Sequence, residues 1–121
     1  MSSTYPPVTE LADYQTAALR TASDAGLASS ESRLMNAALG LCGEAGEFAE
    51  LVKKHLFHGH DLDREKMTKE IGDVLWYVAF ACNAVGVNLE DVATRNIAKL
   101  RARYPERFET ELSVSKDETR E

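Results

Sequence analysis

The chain has 121 residues, of which 44% are hydrophobic, and this composition is typical of one globular domain with one core. The 20 acidic residues outnumber the 14 basic ones, and the net charge of −6 disfavours binding along the phosphate backbone of a nucleic acid. A small phosphorylated substrate would need a local cation, because the overall field repels it.

The N-terminus and the two cysteines predict a cytoplasmic protein. The opening residues, MSSTYPP, lack the basic start and the apolar run of a signal peptide. The most apolar stretch, residues 74–87, is too short to span a bilayer. Cys42 and Cys82 each lie in an apolar helical stretch without a nearby cysteine, so we predict both to be reduced core residues.

Helical periodicity begins after the proline pair near the N-terminus. Apolar residues at three- and four-residue steps predict a first helix from its cap, Thr9, to about Ala25. Ser29 or Ser30 is expected to cap a second helix that continues to Phe57. No alternation typical of strands competes with these patterns.

Three glycines interrupt the second predicted helix. Gly40, Gly43 and Gly46 follow one another at three-residue steps, and each costs a helix about 1 kcal/mol relative to alanine. We therefore expect a packed helix or a ligand to approach the backbone closely there.

Two more helices follow. One of the two aspartates in the segment HGHDLD is expected to cap a third helix that stops at Gly86, and a fourth ends before Pro105. The domain is predicted to span residues 1–108, and the polar residues 109–121 are predicted to form a disordered tail. The third helix is apolar on every face over residues 74–82, so we expect a partner subunit to cover part of it.

Two pairs of acids mark the second and third helices. Glu44 and Glu47 are three residues apart, as are Glu70 and Asp73, so each pair projects from one helical face among apolar neighbours. Two unit charges about 4 Å apart repel by about 4 kcal/mol at an effective dielectric constant near 20. Packed together, the four carboxylates would therefore need a cation, and hard oxygen ligands suit Mg²⁺ or Mn²⁺. Solvated surface charge is the alternative for each pair alone, and we interpret Glu50 in that way.

These residues resemble those of the MazG-type nucleotide pyrophosphohydrolases, the all-alpha NTP pyrophosphatase superfamily. The family pattern is EExxE, a spacer and ExxD, and it is similar to GEAGE at residues 43–47 and EIGD at residues 70–73. The segment NIAKLRARY, residues 96–104, resembles the C-terminal helix of the family. One departure is Gly43, which stands where the family has its first glutamate.

The resemblance implies an all-α fold, a four- to five-helix bundle that assembles as a homodimer or homotetramer. It implies Mg²⁺-dependent cleavage of a (deoxy)nucleoside triphosphate to the monophosphate and pyrophosphate, as a house-cleaning reaction. A phosphoribosyl-ATP pyrophosphatase or a dUTPase-like enzyme would use similar acids. A non-catalytic helical assembly module is the alternative that Gly43 favours.

The resemblance also implies roles for single residues. The four acids would hold the metal, and Glu44 or Glu47 would act as the general base. Asn96 and Lys99 match the family's phosphate-binding positions, and Arg103 lies on the same helical face. A helix C-terminus also favours cations through its dipole, which is the alternative explanation for the arginine.

Two further groups have more than one interpretation. His55, His58 and His60 are all the histidines of the chain, and we interpret them as part of a loop or as nucleotide contacts. A zinc site is disfavoured because no cysteine accompanies them. Trp76 and Tyr77 are interpreted as core residues, with stacking on a nucleobase as the alternative.

Overall fold

The structure, a computed structural model, describes residues 6–119 and contains no strand within them. The predicted all-α class is therefore confirmed. The chain divides into two compact units, one ending at Leu89 and the other beginning at Glu90. The helices are α1 (Leu11–Leu19), α2 (Ser30–Phe57), α3 (Arg64–Val85), α4 (Leu89–Arg103) and α5 (Thr110–Thr119).

The boundaries of α2 and α3 are those that local capping predicts. The Ser29 hydroxyl and the Asp63 carboxylate each accept the backbone N–H three residues on, which satisfies a donor that the first turn leaves unpaired. Gly86 ends α3 with a left-handed φ of 83°, a conformation that other residues adopt only with strain. At α1 the N-cap is Glu10, with no side-chain cap, rather than Thr9.

The first helix is shorter than its apolar spacing predicts. It ends at Leu19, not near Ala25, because the carbonyl of Ala18 bonds to other groups. The Thr21 hydroxyl donates to that oxygen at 2.7 Å, and the Trp76 indole N–H on α3 donates to it at 3.0 Å. A carbonyl engaged by two side chains no longer supports the next helical turn.

Packing of α2 against α3 forms the main contact of the first unit. A Cβ at Gly40 would overlap the ring of Tyr77, so the glycine lets this side chain lie directly on the α2 backbone. The predicted close approach is confirmed there. A Cβ at Gly43 or Gly46 would meet nothing within 4 Å among the described residues, and no approach is found at these two positions.

A small core joins α1 to α3 and to the start of α4. Its buried members are Ala18, Ala79, Cys82 and Leu89. The Gln15 side chain on α1 accepts the Leu89 N–H at 2.9 Å, which anchors this end of the unit. Cys82 is buried, as predicted. Cys42 is exposed, so the predicted core position was wrong for Cys42.

Residues 110–119 form the helix α5 where a disordered tail was predicted. The N–H of Ser113 donates to the carbonyl of Glu109 at 3.1 Å, which starts the helical bonding. High polarity does not prevent a helix when the residues include good helix formers such as glutamate, leucine and lysine. The last two residues of the predicted tail lie outside the described part of the chain.

One chain leaves part of its apolar surface uncovered. Phe80 of α3 is completely buried, but Ile71 and Leu75 on the same helix are exposed, and so are Met35 and Leu39 on α2. Within residues 6–119, no single helix has the length and apolar character needed to cross a membrane. The bent pair of α3 and α4 meets those criteria only when the two are counted together.

Candidate metal centre

Three of the four predicted acids converge between α2 and α3. Each of Glu44, Glu70 and Asp73 offers a carboxylate oxygen, and these oxygens all lie within 4.8 Å of one another. Glu44 and Glu70 are half-buried, and Asp73 is exposed. The three-residue step on α3 brings two of the acids onto the face that packs against α2, which supplies the third. We call these three residues the carboxylate triad.

Glu47 lies one helical turn beyond Glu44 and is not part of the carboxylate triad. Its carboxylate is exposed, yet it is near enough that its negative charge contributes to raising the pKa of Glu44. Glu50 is exposed as well. Four converging acids were expected, whereas the structure brings three together and places Glu47 beside them.

The electrostatics of the triad favour a bound cation. Partial burial is the largest cause that raises the pKa of Glu44, followed by the charge of Asp73 and a hydrogen bond to Glu70. Burial and the charge of Asp73 also raise the pKa of the Tyr14 hydroxyl on α1. The Oε2 atom of Glu70 is buried and has no hydrogen-bond partner among the described residues. Because an unsatisfied buried oxygen is costly, a divalent cation fits this donor set.

We expect Glu44→Gln to raise the melting temperature of the metal-free protein at neutral pH. A carboxyl group with a raised pKa in the folded state binds its proton more tightly there than in the unfolded chain. Its contribution to stability is therefore lost as the pH rises from the ordinary glutamate pKa through the raised one. Thermal unfolding in a chelator should show the variant above the wild type at pH 7 and no difference in acid. A lower melting temperature at pH 7 would contradict the raised pKa.

A cleft of 350 Å³ opens beside the triad, and its lining residues are Thr21, Glu44, Asp73, Trp76 and Tyr77. The Trp76 indole N–H also donates to the Thr21 hydroxyl at 2.8 Å, and its ring stacks on Phe80 with centroids 5.3 Å apart. Trp76 is half-buried, packs against the core and also forms a wall of the cleft. Sequence reasoning missed Thr21, which has no spacing signature and reaches the cleft only because α1 ends early.

The three predicted phosphate-binding residues lie on α4 in the second unit. Asn96 and Lys99 are exposed, and Arg103 is half-buried, with its guanidinium 5.7 Å from the centre of the Tyr104 ring. The spacing places all three on one face of the helix, as predicted. Val92 and Leu100, apolar residues of the same helix, are exposed as well.

His58 and His60 lie in the connection between α2 and α3, as one of the interpretations predicts, whereas His55 lies in the last turn of α2. His55 is half-buried, and its Nδ1 lies 2.9 Å from the carbonyl oxygen of His60, whereas His58 is exposed at the C-cap of α2. Among the residues that the structure describes, the carboxylate triad is the only group of three candidate ligands close enough to share a metal ion. The disfavoured zinc site therefore gains no support.

Fold and site together define an all-helical protein with three convergent carboxylates. The model of the MazG nucleotide pyrophosphohydrolase domain matches residues 33–108, which include the triad and α4. The chain is also 42% identical over 96 residues to "Gene 37 protein" of Mycobacterium phage L5, an alignment that covers 74% of this chain and 84% of the phage protein. No solved structure matched the chain. The chain belongs to the MazG nucleotide pyrophosphohydrolase family, and the suspected resemblance is confirmed.

Proposed function

We propose that this chain is a Mg²⁺-dependent hydrolase that cleaves a (deoxy)nucleoside triphosphate into the monophosphate and pyrophosphate. Membership of the pyrophosphohydrolase family supports the reaction class. The observation that carries the metal dependence is the convergence of Glu44, Glu70 and Asp73 within 4.8 Å. Cleansing the nucleotide pool in the cytoplasm is the cellular role that we propose.

The carboxylate triad would hold the cation. Three carboxylates carry more negative charge than one dication, and Mg²⁺ commonly completes its shell with water and substrate phosphate. Mn²⁺ suits the same oxygen donors. When bound, such an ion neutralises negative charge on the phosphates and lowers the pKa of water. Glu70 would contribute the buried Oε2 atom, which has no hydrogen-bond partner in the part of the chain that the structure describes.

Glu47 is the general base that we propose, with Glu44 as the alternative. Glu47 is exposed and lies outside the triad, so its carboxylate is available to accept a proton from a water molecule. The water oxygen bonds to phosphorus as the anhydride bond between the α and β phosphates breaks. The bridging oxygen leaves with the pyrophosphate.

Cationic and polar groups must bind the phosphates, since the chain has a net charge of −6. We assign this role to Asn96, Lys99 and Arg103 on α4 by their match to the family positions. A homodimer or homotetramer is part of the proposal. The exposed Ile71 and Leu75 on α3 support it, because a second copy would bury their apolar surface.

The product distinguishes this proposal from simple phosphate removal. A panel of ribo- and deoxynucleoside triphosphates with Mg²⁺ should release one pyrophosphate per monophosphate formed, and a chelator should abolish turnover. Orthophosphate as the only product would contradict the proposed bond cleavage. Phosphoribosyl-ATP and dUTP belong in the same panel, because the related activities use similar acids and would show as a strong preference.

A non-catalytic helical assembly module is the second candidate. Gly43 favours it, since it stands in place of the first family glutamate and brings no carboxylate of its own. Such a module should turn over no nucleotide in the panel. It should also show no Mg²⁺ binding that depends on Glu44 or Asp73.

A further inference from the structure

A second cavity lies where the connection between α2 and α3 folds back on the end of α2. We call it the loop cavity, and its volume is 250 Å³. It includes two lysines, a histidine and two aspartates. Its lining residues are Leu51, Lys54, His60, Asp61, Asp63 and Lys66.

Several hydrogen bonds hold the wall of the loop cavity in place. The carbonyl of Lys54 accepts the backbone N–H groups of both His58 and His60 at 3.1 Å. The His55 ring nitrogen lies 2.9 Å from the His60 carbonyl oxygen, and Gly59 permits the turn with a φ of 74°. The connection is thus fixed to the last turn of α2, which gives the cavity a defined shape.

The two lysines of the loop cavity form no ion pair with a carboxylate among the described side chains. Among residues 6–115, whose side chains the structure describes, the one ion pair joins Lys69 to Glu65 on the surface, so neither Lys54 nor Lys66 is paired. The carboxylate of Asp63 already accepts the backbone N–H of Lys66 at 3.0 Å as the cap of α3. Asp61 is the remaining negative charge at the cavity.

The loop cavity and the carboxylate triad use the same faces of α2 and α3. Leu51 follows Glu44 by seven residues on α2, and Lys66 precedes Asp73 by seven on α3. Seven residues are about two helical turns and about 10 Å, so each pair shares a helical face. The cavity therefore lies about two helical turns from the triad, toward the connection between the two helices.

We propose that the loop cavity binds the pyrophosphate part of the substrate through Lys54 and Lys66. This inference rests on the proposed function, because it assumes a triphosphate whose other end is at the triad. Lysine is a flexible point charge suited to phosphate, and two unpaired ammonium groups supply the local cation that an acidic chain needs. The lysines also favour retention of pyrophosphate after cleavage.

Calorimetric titration with inorganic pyrophosphate in the presence of Mg²⁺ tests this subsite. Lys54→Gln and Lys66→Gln should each weaken binding by roughly tenfold, the loss expected for one charged hydrogen bond. Both variants should raise the KM for a triphosphate, and the affinity for Mg²⁺ alone should not change. Lys53→Gln and Lys69→Gln are matched controls, since these lysines lie outside the cavity lining, and they should bind pyrophosphate as the wild type does.

Asp61→Asn tests the subsite through an expected gain in pyrophosphate affinity rather than a loss. Removing this carboxylate should tighten pyrophosphate binding about threefold, a typical effect for one partly exposed charge. Unchanged affinity in both lysine variants, or no binding by the wild type, would overturn the proposed subsite. If the lysine variants cleave the triphosphate with an unchanged KM, the proposed subsite is overturned and the proposed function remains intact. Lysine-dependent pyrophosphate binding without any cleavage would reject the function and keep the subsite.

Discussion

Glu70→Gln should reduce pyrophosphate release by roughly 10³-fold, because several kcal/mol of charge stabilisation depend on the metal that this carboxylate helps to hold. The amide is nearly the same size as the acid but lacks its negative charge. The buried Oε2 atom of Glu70 has no hydrogen-bond partner among the described residues. The substitution therefore removes the carboxylate oxygen that most needs a bound cation. The assay is single-turnover release of pyrophosphate with Mg²⁺ in excess.

Glu65→Gln is the matched control for this variant. Glu65 lies on the same helix, five residues earlier, and its side chain is 74% exposed in an ion pair with Lys69. Exposed pairs of this kind contribute about 0–1 kcal/mol, so turnover and folding should both remain near the wild type. An unchanged rate in Glu70→Gln, with the helical circular dichroism retained in both variants, would exclude the triad as the catalytic metal site.

Gly40→Ala should destabilise the first unit by about 1–3 kcal/mol, the usual cost of forcing extra volume into a packed contact. The new methyl group would overlap the ring of Tyr77, so either the ring or the α3 backbone must move. Because Tyr77 lines the cleft beside the triad, the variant should also raise the KM for the triphosphate. Thermal unfolding should show a decrease of roughly 4 °C or more.

Gly72→Ala is the control for the glycine variant. A Cβ at Gly72 in α3 would meet no described residue within 4 Å, so the substitution adds helix propensity without a clash. It should raise the free energy of unfolding by up to about 1 kcal/mol. If both variants stabilised the protein, the close contact between α2 and Tyr77 would be contradicted.

Local signals predicted the helices that carry the site. A serine cap, an aspartate cap and a glycine stop are sufficient to define α2 and α3, because each acts within one turn of its own helix. The end of α1 was not predictable in this way. It depends on a hydrogen bond from Trp76, 58 residues further along the chain, to Ala18.

The candidate site was predicted in its residue types and less well in its geometry. Three-residue spacing identified Glu44, Glu70 and Asp73, but the same spacing also included Glu47. A step of three residues rotates about 60° short of a full turn, so only one residue of such a pair need point at the neighbouring helix. The loop cavity was not predicted, because Lys54 and Lys66 come together only when the connection folds back on α2.

Magnesium titration of the metal-free protein tests the central claim most directly. We predict that calorimetry will show Mg²⁺ binding by the wild type and at least tenfold weaker binding by Asp73→Asn, which removes one charged ligand of the triad. Asp91→Asn on α4, an exposed acid outside the triad, should bind as the wild type does. Equal affinity in all three proteins, or no binding by the wild type, would contradict a metal centre formed by these carboxylates.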